Sequence, residues 1–199
     1  MENERDLPWM YWLAGCFSVR RKTKEKLLDM YGTAENIYNM KKQVLNEPGF
    51  LTDREKEVFL QRGKVDPERE FEDFFRQGGS FTWIGAADYP QKLQPLSGAP
   101  FALFYYGKLP DPEKKAVAIV GARGCTSYGR AAAGSFAEAA ALAGAEIISG
   151  MACGIDNTAQ LAALRVGGTS TAVLGCGTDI CYPASSAETY WQLRENGCV

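Results

Sequence analysis

Three glycine-rich segments carry the residues best suited to holding an anion. Gly121 to Arg130 reads G-A-R-G-C-T-S-Y-G-R and combines glycine flexibility, an arginine fork, hydroxyls and the start of a helix. Each of these binds phosphate for a physical reason. Backbone amides and the helix dipole attract the anion, a guanidinium bonds it bidentately, and a serine or threonine hydroxyl donates to it. The segment is neither G-x-G-x-x-G nor a Walker loop, so a phosphate or phosphodiester suits it better than a dinucleotide. Ser149 to Asp156 (S-G-M-A-C-G-I-D) is the second segment, with Asp156 expected to cap the helix that follows rather than to serve as a general base. Gly175 to Asp179, followed by Tyr182-Pro183, is the third; its glycines let the backbone approach closely and Asp179 can fix the turn. Taken singly, each reads as a strand-to-helix turn, whereas three converging on one place read as a site.

Other chemistries are removed by composition. The 199 residues contain no histidine, which takes away the Ser-His-Asp triad, the Cys-His dyad, the histidine zinc sites and the commonest general base. Six cysteines (Cys16, Cys125, Cys153, Cys176, Cys181, Cys198) form no C-x-x-C pair and read as buried free thiols, with no metal site. Lys and Arg number 22 against 24 Asp and Glu, a net charge of −2 that divides evenly between residues 1–80 and 81–199. A nucleic-acid contact would therefore need a local patch rather than a basic domain. The concentrated run Arg20, Arg21, Lys22, Lys24, Lys26 reads as the solvated start of a helix in preference to a contact surface. No apolar run approaches the roughly 18 residues of a membrane-spanning helix. Met1 to Asp6 is not a signal-peptide start, so the expected location is the cytoplasm, away from any membrane.

The elements that must position these loops are legible in the periodicity. Residues 9–79 show helical spacing with clear punctuation. Thr23 is placed to cap a helix stopped by Gly32, Thr33 opens a short one, Thr52 with Glu55 forms a capping box, and Asp66-Pro67 begins a helix running to Gly78. From Phe81 to Ile84 and Phe101 to Tyr106 the texture is β-type, the aromatics Phe101, Phe104, Tyr105 and Tyr106 reading as packed strand residues. Then strands and helices alternate: Val117–Val120, a helix from Tyr128 to Ala143, Glu146–Ser149, a helix from Asp156 to Val166, Thr171–Leu174, a helix over residues 185–196, and Cys198-Val199 as the first residues of a fourth strand. Strands separated by single helices demand a parallel sheet. The expected fold is α/β: a small all-helical domain over residues 1–79, then a Rossmann-like parallel sheet over 80–199 that is cut short on its C-terminal side. An alternative is that the strands between 81 and 106 complete a short sheet. In such sheets ligands bind beyond the carboxyl ends of the strands, which is where all three glycine segments fall.

With these residues in view, V-A-I-V-G-A-R (117–123) with S-Y-G (127–129), I-I-S-G-M-A-C-G-I-D (147–156) and T-A-V-L-G-C-G-T-D-I-C-Y-P (171–183) together resemble the DNA-processing protein A family (DprA, also called Smf). The likeness is strong over residues 116–199. Tyr89-Pro90, Pro100 and Tyr106-Gly107 resemble the family's lead-in, and residues 9–79 are loosely similar to its N-terminal helical domain, related to sterile-alpha-motif (SAM) folds. The Gly-x-Gly hairpin of duplex-binding helical motifs is absent.

The resemblance implies a non-enzymatic role with no cofactor and no catalytic residue. That role is to bind single-stranded DNA taken up in natural transformation, protect it, and help load the RecA recombinase for homologous recombination, as a homodimer. Carried over by motif, Arg123 would pair with a DNA phosphate, and Gly121, Ser127, Ser149 and Gly150 would shape the phosphate pocket; Tyr128 and Gly129 complete the first motif without an assigned contact. Departures from the family pattern are Gln160 where a histidine is usual, which removes charge there, and the absence of the second half of the Rossmann-like domain with its basic residues and dimer surface. A C-terminal winged-helix-like domain is likewise missing. An alternative of another class is a Rossmann-like enzyme or sensor binding a nucleotide or phosphoribosyl group, although such relatives carry a P-G-G-x-G-T-x-x-E motif that this sequence lacks. A third reading is an inactive truncated product whose exposed sheet edge aggregates.

Overall fold

The computed structural model describes residues 6–46 and 49–199, and the Met1–Arg5 part of the N-terminal stretch read above lies outside them. The chain divides into two compact units, Met1–Ala86 with Gly98–Leu103, and Ala87–Ser97 with Phe104–Val199.

In the first unit the described helices are α1 (Leu7–Gly15), α2 (Arg21–Tyr31), α3 (Ala34–Asn39), α4 (Asp53–Leu60) and α5 (Pro67–Arg76), followed by the strand β1 (Gly79–Trp83). Leu13, Leu27, Ile37 and Phe59 are fully buried in its core. Local chemistry sets most helix ends. The Thr33 hydroxyl accepts from Asn36 N, Thr52 and Glu55 form a complete capping box, and the Asp66 carboxylate accepts from Arg69 N with Pro67 in the first turn. Gly32 ends α2 at φ 80°, a conformation that costs glycine little.

Thr23 is not a cap. α2 begins two residues earlier, and the Thr23 hydroxyl, buried inside the unit, donates to Glu55 Oε1 at 2.8 Å. That carboxylate is 1% exposed and also accepts from Arg20 Nε at 2.9 Å, Arg20 Nη2 at 2.8 Å, Arg20 N at 3.0 Å and Thr52 N at 2.9 Å. Burial alone would raise its pKa, but the Arg20 guanidinium and the converging donors outweigh it and hold the carboxyl well below the usual range. The basic run is thereby largely absorbed by the unit's own architecture. Arg20 binds Glu55, Arg21 binds Glu25 and the Ala99 carbonyl, Lys24 is buried and donates to the Ala14 carbonyl at 2.9 Å, and Lys26 lies over the Phe50 ring.

The second unit is built on parallel pairing. β3 (Ala116–Ala118), β4 (Glu146–Ser149) and β5 (Ser170–Ala172) lie in the order β3-β4-β5, with Val117 opposite Ile147 and Ile148 opposite Thr171. α6 (Ser127–Leu142) connects β3 to β4, α7 (Ile155–Arg165) connects β4 to β5, and α8 (Ala187–Asn196) follows. Cys198 continues the sheet beyond β5 as a parallel bridge to Thr171, and its other side meets Gly107 in antiparallel sense, just past the end of β2 (Ala102–Tyr106). Tyr106 and Val199 exchange both backbone hydrogen bonds, at 2.9 and 3.0 Å. The expected fourth strand is thus started by Cys198 and Val199, and the end of β2 pairs with it.

Small residues set the packing. Ala137 and Ala141 of α6, Ala159 and Ala163 of α7, and Ile147 form one buried cluster, in which alanine lets helices and sheet approach closely. Tyr190 and Leu193 of α8 with Met151, Ala172 and Val199 form another. The Arg194 guanidinium lies 3.6 Å from the Tyr106 ring centroid, a cation–π contact that joins α8 to the end of β2.

Candidate nucleic-acid interface

The loops after β3 and β4 are locked together by one carboxylate. Asp156 Oδ1 accepts from Gly121 N at 3.1 Å and its Oδ2 accepts from Gly150 N at 3.2 Å. Asp156 therefore does not cap its own helix, whose N-cap is Gly154 with no side-chain bond. It ties together two loops that are distant in sequence. Steric fit completes the lock. A Cβ on Gly121 would sit 2.7 Å from Ile155 Cγ1, and one on Gly154 (φ 88°) would sit 2.3 Å from the Ala122 carbonyl oxygen and 2.5 Å from that of Arg123. The Ser149 hydroxyl, also turned inward, donates to the Ile119 carbonyl at 2.6 Å and is 3% exposed.

The outward groups are different residues. α6 begins one residue earlier than the periodicity indicates, because the Thr126 hydroxyl accepts from Gly129 N at 3.0 Å. The remaining amides of the first turn have no acceptor within the helix, and the dipole of a 16-residue helix adds positive potential at that end. Arg123 and Ser127 are exposed there, and neither side chain has a hydrogen bond or ion pair among the described residues. Arg130, one turn into α6, is also exposed and donates to Thr158 Oγ1 at 3.3 Å.

Of the five residues singled out from sequence, Gly121, Ser149 and Gly150 thus form the inner lock, while Arg123 and Ser127 face solvent at the helix N-terminus. The role of Asp156 is not legible locally. Its one signal is an aspartate next to two glycine-ended strands, but nothing in the chain order says which amides it reaches. In the third loop, Gly177 sits tight against Asp179, where a Cβ would lie 2.5 Å from Oδ1, and Tyr190 donates to the Thr178 carbonyl at 2.8 Å.

Gln160 is no part of this surface. It is fully buried, its amide nitrogen donating to the Thr171 carbonyl at 3.1 Å and to Ser170 Oγ at 3.3 Å. Of the six thiols only Cys16 and Cys198 are buried; the other four are partly exposed, and all are free. Among the described residues no group of three or more His, Cys, Asp or Glu is placed to hold a metal, and no helix is long and apolar enough to cross a membrane. A depression of about 400 Å³ lined by Leu164, Gly167, Gly168, Thr169, Gln192 and Asn196 contains no charged group and lies at the opposite, amino end of β5, away from the glycine loops.

The chain is similar to proteins already known. The family described as DNA recombination-mediator protein A matches residues 80–199. Protein Smf of Synechocystis is 29% identical over 206 residues, covering the whole of this chain and 51% of that protein. DNA processing protein A of Streptococcus pneumoniae superposes with a TM-score of 0.70 at 25% identity, over 96% of this chain and 66% of that one. The Helicobacter pylori protein, whose structure was solved for its single-stranded DNA binding mode, superposes with a TM-score of 0.51 at 27% identity over 60% of this chain and 53% of its own. The chain spans about half the length of the curated relatives it matches. The α/β architecture, the glycine loops at the carboxyl edge of its parallel sheet and the family match over more than half its length together mean that this chain belongs to the DNA recombination-mediator protein A family.

Proposed function

We propose that this chain binds single-stranded DNA through its phosphates at the N-terminus of α6, with residues 80–199 as the DNA-binding domain of a recombination mediator. The observation that carries the reading is the pairing of an exposed Arg123 and Ser127, whose side chains have no partner among the described residues, with the first-turn amides of a long helix, all held on a loop that Asp156 fixes from behind. Those groups are complementary to a phosphodiester and read no base edge, so the affinity is expected to be largely independent of sequence. The single-stranded DNA binding mode of the H. pylori protein supports the same ligand class. In this reading the bound strand is incoming DNA, protected until a RecA-type recombinase is loaded on it, and the chain acts as a DNA-binding partner rather than a catalyst.

The test is fluorescence anisotropy of a labelled single-stranded oligonucleotide at two salt concentrations. The chain is expected to bind with steep salt dependence. Arg123→Ala should weaken binding and lower the log-log salt slope by roughly 0.7, the value for one phosphate that is no longer neutralised. A folded chain that ignores the oligonucleotide but retains a mononucleotide would overturn the reading in favour of a nucleotide site.

A further inference from the structure

We infer that Tyr128 is a stacking platform for a nucleobase, placed beside the phosphate contacts of Arg123 and Ser127; the inference rests on the single-stranded DNA reading above. Tyr128 is the second residue of α6 and is 82% exposed. Its side chain has no ring contact, hydrogen bond or cation–π partner among the described residues, whereas Tyr106 and Tyr190 in the same unit are both buried and packed against Arg194. A single exposed aromatic needs no explanation by itself. This one stands where its backbone is fixed from both sides, by the Thr126 cap onto Gly129 N and by the loop that Asp156 holds through Gly121. A tyrosine with only two side-chain torsions on a rigid turn loses little entropy when something lies flat on it.

The neighbourhood favours an aromatic ligand with a phosphate attached. Val120 in the same loop is 71% exposed, and on the loop after β5 Ile180 and Tyr182 are 50% and 59% exposed, so the carboxyl edge of the sheet carries apolar surface beside its guanidinium and hydroxyl groups. A polynucleotide presents an aromatic plane one sugar away from each phosphate. A ligand that is only a phosphate leaves Tyr128 unused. Stacking also tolerates any base, which agrees with the sequence-independent binding proposed above.

The experiment compares a labelled oligothymidylate with a strand of equal length made of abasic sites, each titrated with the full chain and with Tyr128→Ala, Tyr128→Phe and Arg123→Ala. Because Tyr128 is exposed, its variants are expected to keep the melting temperature of the parent. Tyr128→Ala should weaken oligothymidylate binding by about 5- to 140-fold, the range typical of losing one aromatic–base stack, with the salt slope unchanged. Tyr128→Phe should bind like the parent, and the abasic strand should not distinguish Tyr128→Ala from the parent, while Arg123→Ala weakens both strands. An equal loss on the abasic strand would overturn the stacking role, as would no loss on oligothymidylate while Arg123→Ala still weakens it. Absence of binding to either strand by the parent would instead overturn the single-stranded DNA reading, and the stacking role with it.

Discussion

Asp156 gives each of its carboxylate oxygens to the backbone of a different loop, and this single side chain determines whether Arg123 stands on a fixed or a loose support. The glycines on which it acts are there for close approach as much as for any ligand, since a Cβ on Gly150 would lie 2.9 Å from Asp156 Oδ2. Removing the carboxylate leaves two amides without acceptors in a part-buried place, at a cost of about 1–3 kcal/mol. Asp156→Ala is therefore expected to lower stability by that amount in urea denaturation, to speed hydrogen exchange at Gly121 and Gly150, and to weaken oligonucleotide binding even at temperatures where the variant is fully folded. Asp156→Asn keeps one acceptor and should recover part of each loss. Unchanged exchange at the two glycines in Asp156→Ala would show that the clamp does not hold the loops.

At the scale of elements, α6 and α7 both start at the site, and their starts differ in kind. α6 begins with a side-chain cap, so Thr126→Ala should cost about 1 kcal/mol and fray the turn that presents Ser127. α7 begins at Gly154 with φ 88° and with no room for a Cβ against the carbonyl oxygens of Ala122 and Arg123. Gly154→Ala combines an unfavourable backbone conformation with a clash against backbone, so it is expected to destabilise more than Thr126→Ala and to displace the Arg123 loop. Thermal melts of the two variants side by side check the order; equal losses would mean that the α7 start yields easily. Element types are legible in the sequence because capping and alternation are local signals. The capping box at Thr52 and Glu55 needs only four residues to be recognised. Thr23 looks like a cap from its neighbours alone, because its true acceptor, Glu55, lies 32 residues away.

For the whole molecule, alkaline stability separates the two units. Burial lowers Lys24 from its ordinary 10.5 to about 8, against the opposing influence of Cys16. Between those values the unfolded chain holds more protons than the folded one, so this group adds stability as pH rises through 8. Burial raises Cys16 from 9.0 to about 11, and burial together with Glu146 raises Cys198 from 9.0 to about 12. For these thiols the folded state holds more protons above pH 9, so stability falls as pH rises. In the first unit the two effects nearly balance above pH 9, whereas in the second unit Cys198 and, above pH 10, the Tyr106 phenol, whose pKa burial also raises, both lose stability. Under reducing conditions the chain should melt at a lower temperature at pH 10.5 than at pH 8, and Cys198→Ala should remove part of that loss. An equally steep loss in the variant would show that Cys198 is not the group responsible.

The sequence by itself determined the alternation of strands and helices after Ala116, most helix stops and caps, and the convergence of three glycine loops at one edge of a parallel sheet, because each depends on interactions within a few residues or on the handedness of the chain. Tertiary structure alone decided what those loops do to one another. It gave the amides of Gly121 and Gly150 to Asp156, turned the Ser149 hydroxyl to the Ile119 carbonyl, and left Arg123, Ser127 and Tyr128 facing outward. It also buried Gln160 beneath the sheet and seated Cys198 and Val199 between β5 and the end of β2. The physical reason is reach. A carboxylate 35 residues from the amide it binds leaves no periodic or local trace, and only the packing of β3, β4 and α7 brings the two within 3.1 Å.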